Sequence, residues 1–194
     1  GMSGLFVSYS RADRVLADQI IRGLRAVGVA VWWDEDMRGV DWQMELEQRI
    51  NDLAGVLVIW TPASIKSNPV RDEARLGLDT DKLVNVLAGV AKPPFPYDRI
   101  NGLPLDGWTG RDPHGGWSRL VETVEERVVE AGGAEPGEIT VQLALREQET
   151  QARKAAVAAA RKAYQDLHER ELAAGDAEKA EEARLELAQQ QLQS

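Results

Sequence analysis

Cysteine is absent from the 194-residue chain, which excludes disulfides, thiolate metal sites and a cysteine nucleophile together and suits a reducing, cytoplasmic setting. Histidine occurs only at His114 and His168, too far apart and without companion ligands for a zinc site, so no metal is expected. No apolar run approaches the roughly 20 residues of a membrane helix, and the first residues carry no basic leader pattern, so neither a membrane span nor a signal peptide is expected. The glycine-rich loop of dinucleotide-binding and P-loop folds is missing after the first apolar run. Positive charge is also in deficit: the net charge is -9, divided as -6 through Glu135 and -3 beyond it. Nucleic acid is therefore not an expected partner.

What is present alternates between strand and helix signals. Leu5 to Tyr9 is an apolar run that stops at Ser10-Arg11-Ala12-Asp13, after which Leu16, Ile20, Ile21, Leu24 and Val27 recur at helical spacing up to Gly28. A short β-type run, Val29 to Trp33, breaks at Asp34. Trp42, Leu46, Ile50 and Leu53 share a helical face, and Val56 to Trp60 reads as a strand buried on both sides. A helix through Val70, Ala74, Leu76 and Leu78 follows, then a strand at Leu83 to Leu87, a proline-rich turn region, a short strand at Leu103 to Leu105 and a helix from Trp117 to Val129. Such alternation predicts a flavodoxin-like α/β fold, a five-stranded parallel sheet flanked by helices, with its working site beyond the carboxyl ends of the strands.

Gly132 to Gly137 is a linker by composition. The predicted organisation is a domain over 1–131, a linker over 132–139 and a helical extension over 140–194. The extension is rich in Ala, Glu, Gln, Arg and Lys, with Gly175-Asp176 as its one breaker, and is expected to form a two-helix hairpin or a coiled-coil segment. Its larger apolar residues, Leu143, Val157, Tyr164, Leu167, Leu172, Leu185 and Leu192, do not keep a clean heptad. A partly solvated helix is the other reading.

Four phrases in order carry a resemblance: Phe6-Val7-Ser8-Tyr9-Ser10-Arg11-Ala12-Asp13, Val31-Trp32-Trp33-Asp34, Val56 to Ser64, and Val70-Arg71-Asp72-Glu73-Ala74. With Pro93 to Tyr97 and Asp106-Gly107-Trp108 after them, they resemble bacterial Toll/interleukin-1 receptor (TIR) domains over about Leu5 to Ala131. The resemblance implies a TIR fold and one of two modes, homotypic TIR-TIR assembly as a signalling scaffold or cleavage of NAD to nicotinamide and ADP-ribose. Catalytic members of the family place a glutamate four residues after a tryptophan, at the start of the helix following the third strand. Here that glutamate is Glu73, and the tryptophan position holds Pro69.

Local chemistry offers its own account of Pro69, because Asn68 suits an N-cap and proline suits the first helical position. Glu73 would then be a polar residue of the second turn. As the catalytic residue, Glu73 would stabilise positive charge developing on the ribose, while nicotinamide leaves neutral and needs no general acid. NAD is the expected substrate, and no cofactor is expected. Tyr9, Ser10 and Arg11 offer hydroxyls and a guanidinium for ribose, phosphate or amide, although Ser10 also suits a helix cap, and Arg11 and Asp13 suit capping or surface charge. Asp34 is the second acidic candidate, in a loop that moves on assembly in similar domains, and also suits an ordinary turn. Ser64 suits either ligand contact or initiation of the next helix. Arg38 is expected at the solvated surface and Trp60 in the core. A phosphoacceptor receiver domain is excluded, because Thr61 and Pro62 stand where it needs an aspartate. The leading expectation is an NAD glycohydrolase of bacterial defence or host interference, activated by self-association as a homo-oligomer; the alternative is a noncatalytic TIR scaffold.

Overall fold

The computed structural model describes residues 3–33, 40–111 and 113–193. Asp34 and Arg38 lie outside them, as does the side chain of Trp42. Five strands, β1 (Leu5–Ser8), β2 (Val31–Trp32), β3 (Gly55–Trp60), β4 (Leu83–Leu87) and β5 (Gly102–Pro104), form one sheet in the order β2-β1-β3-β4-β5. Every neighbouring pair is parallel. The predicted flavodoxin-like sheet is therefore the observed one.

Helices α1 (Arg14–Ala26), α2 (Val40–Arg49), α3 (Asn68–Asp79) and α4 (Gly115–Glu130) supply the crossovers. Pleating sends alternate residues of a strand to opposite faces. Leu5 and Val7 of β1, with Leu57 and Ile59 of β3, enter a core with Ile20 and Leu24 of α1 and Leu120 and Val124 of α4. Phe6, Val56, Val58 and Trp60 enter a second core with Leu46 of α2 and Val70 and Ala74 of α3. All six residues of β3 are buried, which explains its unbroken apolar run. Each fully buried Leu, Ile or Val contributes about 1.5–3 kcal/mol. Trp32 packs against the second core and Trp33 against the first, as alternation requires.

Where helix and sheet come closest, small residues make room. A Cβ on Gly77 of α3 would lie 3.0 Å from Val56 Cβ, so α3 sits directly on β3 there. Gly28 ends α1 at φ 93°, a conformation that favours glycine. Lys82, at the entrance to β4, donates to the carbonyls of Ile50 at 2.7 Å and Leu53 at 2.6 Å, satisfying groups at the end of the α2 region. Burial pushes its ammonium below the ordinary range, with Asp52 working against that shift.

His114 has a structural role. Its Nδ1 accepts from the backbone N–H groups of Gly116 at 3.1 Å and Trp117 at 3.3 Å, capping α4, and its Nε2 lies 3.0 Å from the Asp106 carbonyl. Two donors on Nδ1 place the proton on Nε2, which donates to Asp106. His114→Ala is expected to lower stability by about 1 kcal/mol, the typical worth of an N-cap, read from the shift in the urea midpoint.

Beyond shifts of one or two residues at other ends, the elements differ from expectation in three places. The N-cap of α3 is Ser67, whose side chain accepts from the Val70 N–H, so Pro69 is the second helical residue and Asn68 the first. β2 holds only two residues. The extension is one continuous helix, α5 (Glu138–Leu192), of 55 residues and not a hairpin. A lone glycine costs only about 1 kcal/mol against alanine, and Gly175 stands among strong helix formers with no proline nearby.

The start of α5 packs on the sheet domain. Ile139 is buried and Leu143 packs against the first core, while the Glu125 carboxylate accepts from the Gly137 and Thr140 N–H groups at 3.1 and 2.7 Å. A carboxylate at a helix N-terminus is favoured by the aligned peptide dipoles. The first compact unit extends through Glu147, and the second comprises 148–194. No helix among the described residues is long and apolar enough to cross a membrane.

Candidate functional site

Glu73 lies on the buried side of α3. The helix buries Val70, Glu73, Ala74 and Gly77, a stripe at spacings of three and four, and Glu73 is 5% exposed. Removing a carboxylate from water is costly, so helices ordinarily turn such residues outward. Glu73 is thus a polar residue of the second turn that lies inside the stripe facing the sheet. Pro69, four residues earlier, is exposed on the first turn.

Helix and strand repeats locate the carboxylate's level on the sheet. Gly77 lies over Val56, and α3 runs back along β3, so moving four residues towards its N-terminus advances about 6 Å. Two residues of strand span about 6.6 Å, which brings Glu73 level with Val58. Val58 is paired in register with Ser8. Ser8 shares the face of Phe6, the face covered by α3. Its side chain is 2% exposed, and its Oγ has no hydrogen-bond partner among the described residues. Sequence reasoning passed over Ser8, although it is the one polar residue in the run Leu5 to Val7 and Tyr9.

The other candidates divide around this point. Tyr9 follows on the opposite face, 3% exposed in the core shared with α1 and α4. Ser10 is half-buried and Arg11 exposed, at the mouth of β1. Ser10 stands at the N-cap of a single 3-10 turn (Arg11–Asp13) and makes no side-chain cap bond, so the capping role considered for it is absent. Asp13 likewise makes no cap bond; its carboxylate accepts from Thr61 Oγ1 at 2.5 Å.

Ser64 opens the short 3-10 turn Ser64–Lys66, in line with the second of its two readings, as a helix initiator. It is fully buried, donates through Oγ to the Ile59 carbonyl at 2.7 Å and accepts from the Thr61 N–H at 2.8 Å, while its own N–H donates to Thr61 Oγ1 at 3.0 Å. These bonds occupy the hydroxyl and hold the loop after β3 in a tight turn. With Asp13, they join the strand-end loops of β1 and β3.

A second network fixes the first turns of α3. Arg71 donates to the carbonyls of Ile65 at 3.1 Å and Phe95 at 3.2 Å, and its guanidinium carbon lies 5.5 Å from the Tyr97 ring centroid. Tyr97 Oη donates to the Arg71 carbonyl at 2.6 Å, and its ring lies 5.1 Å from that of Trp60. Asn85, fully buried in β4, accepts from Trp60 Nε1 at 2.7 Å and donates to the carbonyls of Tyr97 at 3.0 Å and Ile100 at 2.9 Å. Arg71 and Tyr97 thus tether the helix carrying Glu73 to the proline-rich loop, and Asn85 ties that loop to the sheet.

Burial pushes the Tyr97 phenol above its ordinary 10.0, and Arg71 partly offsets the shift. The folded state therefore holds this proton better than the unfolded chain does, a contribution present below pH 10.0 and lost as pH rises through the raised value. Tyr97→Phe is expected to be less stable at neutral pH through the lost hydrogen bond. The gap to the parent should narrow above pH 10.0, as read from urea midpoints across the alkaline range.

No curated protein matches the chain. Among solved structures it is similar to the TIR domain of the Toll-related receptor TRR-2 from Hydra magnipapillata, with a TM-score of 0.45 and 16% identity over 52% of this chain and 82% of that one. It is also similar to a flavodoxin-like domain from Synechococcus sp., with a TM-score of 0.38 and 22% identity over 66% of this chain and 96% of that one. The model of a family described as TIR domain matches residues 5–121. That match spans more than half of the sequence, and the chain belongs to the TIR domain family.

Proposed function

We propose that the chain is an NAD glycohydrolase with Glu73 as its catalytic carboxylate. The observation that carries this reading is the burial of Glu73 on the apolar face of α3. The bond between ribose C1′ and the nicotinamide nitrogen breaks, its electron pair passing to the pyridinium and leaving nicotinamide neutral. Glu73 stabilises the positive charge that this leaves on the sugar. Water then adds at C1′ and releases a proton, giving ADP-ribose. Ser10 and Arg11, at the mouth of β1, are the proposed contacts to ribose hydroxyls and phosphate, with Asp34 a further candidate outside the described residues.

Buried placement also favours catalysis in electrostatic terms, since a carboxylate withdrawn from water acts more strongly on a nearby cationic centre. The proposed setting is the bacterial cytoplasm, where depletion of NAD would serve defence or interference with a host. The second reading, a noncatalytic module for homotypic TIR contacts, is favoured by Pro69, which leaves the first turn of α3 without the aromatic surface expected of catalytic members. Nicotinamide release from NAD by concentrated full-length protein separates the two. Release supports the glycohydrolase; none at high concentration with a crowding agent present leaves the scaffold.

A further inference from the structure

We propose that α5 pairs with the same helix of a second copy of this chain, antiparallel, with Tyr164 of one helix across from Leu167 of the other. The inference rests on residues 148–194 and stands apart from the NAD reading. Within that segment the described residues are exposed, save the half-buried Thr150 and Gly175. Tyr164 is 70% exposed and Leu167 54%. A helix of this length ordinarily gains much of its stability by burying one face.

Two interleaved series mark that face. Val157, Tyr164, Leu185 and Leu192 fall at multiples of seven residues from one another, and Ala160, Leu167, Ala174 and Ala188 occupy the complementary series three residues on. Arg153, Glu171, Glu178 and Glu181 interrupt the pattern, and Leu172 falls off it, which is why it does not read as a clean heptad.

Charge selects the partner and its direction. Thr150 to Gln165 contains Arg153, Lys154, Arg161 and Lys162 and no carboxylate, whereas Asp166 to Glu186 contains eight carboxylates and three cations. Parallel pairing of two copies would lay basic segment on basic and acidic on acidic. Antiparallel pairing lays each basic segment on the other copy's acidic one. With Tyr164 opposite Leu167, Val157 falls opposite Ala174 and Arg153 opposite Glu178, so two of the four interrupting charges oppose one another, while Glu171 meets Ala160 and Glu181 meets Thr150.

Sedimentation equilibrium of the full chain is expected to give twice the 21.4 kDa chain mass, and Tyr164→Lys/Leu167→Lys is expected to raise Kd at least tenfold. Both side chains are exposed and lie outside the unit that ends at Glu147, so that unit's urea midpoint, read by tryptophan fluorescence, should match the parent's. Because the chain contains no cysteine, direction can be read by oxidation. Positions 153 and 178 lie about 37 Å apart along the helix. Arg153→Cys and Glu178→Cys should each stay uncrosslinked alone and form a mixed disulfide dimer when combined. A monomer at all concentrations, a dimer indifferent to the lysine variant, or crosslinking of either cysteine variant with itself would each overturn the proposal.

Discussion

Glu73→Gln is expected to reduce nicotinamide release by about 10²- to 10³-fold, the range seen when one preorganised electrostatic contact to a charged transition state is removed. Glutamine keeps the size and hydrogen-bonding reach of glutamate and loses only the charge. Glu73 sits in the stripe that faces the sheet, so the variant's circular dichroism and urea midpoint are measured beside its turnover. The loss should appear mainly in kcat, because an interaction realised in the transition state leaves ground-state binding largely untouched. Unchanged turnover in a folded Glu73→Gln protein would remove this residue from the chemistry.

Asn85→Leu is expected to lower stability by about 3–5 kcal/mol, more than any other single change considered, because it strands three buried groups at once. The Trp60 indole N–H and the carbonyls of Tyr97 and Ile100 all depend on the Asn85 amide. Leucine keeps the branching and the number of side-chain heavy atoms of asparagine, so the loss chiefly reports the polar latch. Urea unfolding followed by tryptophan fluorescence checks the magnitude. Pairing the change with Trp60→Phe checks the mechanism, since removing the indole donor takes away one of the three stranded groups and the two effects should be less than additive. Strict additivity would place the damage in packing.

The sheet was legible because its central strands are bounded apolar runs. Leu83 to Leu87 was read to the residue, and Val56 to Trp60 to within one. Helix α3 was recognised through Val70, Ala74, Leu76 and Leu78, but its contact face was not: Leu76 and Leu78 are only half-buried, while Glu73 and Gly77 are inside. A carboxylate and a glycine carry no hydrophobic signal, so the stripe containing the candidate catalytic residue was invisible to periodicity and reachable only through family resemblance.

Asn85 and Arg71 escaped for a different reason. Their partners lie 12 to 25 residues away for Asn85 and as far as Phe95 for Arg71, and no local spacing rule connects a mid-strand amide to a loop carbonyl. Ser64 was singled out for its hydroxyl and then found fully engaged by its own turn. A short polar side chain after a strand meets backbone partners within reach.

The clamp that Glu125 forms on the start of α5 bears on where this protein can be cut. Sequence composition invites truncation at residue 131, yet that cut would take Ile139 and Leu143 from the core they cover and leave the Glu125 carboxylate without the amides it now meets at 3.1 and 2.7 Å. The portable piece is thus longer than the family signature it contains, and a fragment prepared for exchange between proteins must carry the first turns of the long helix as its own lid.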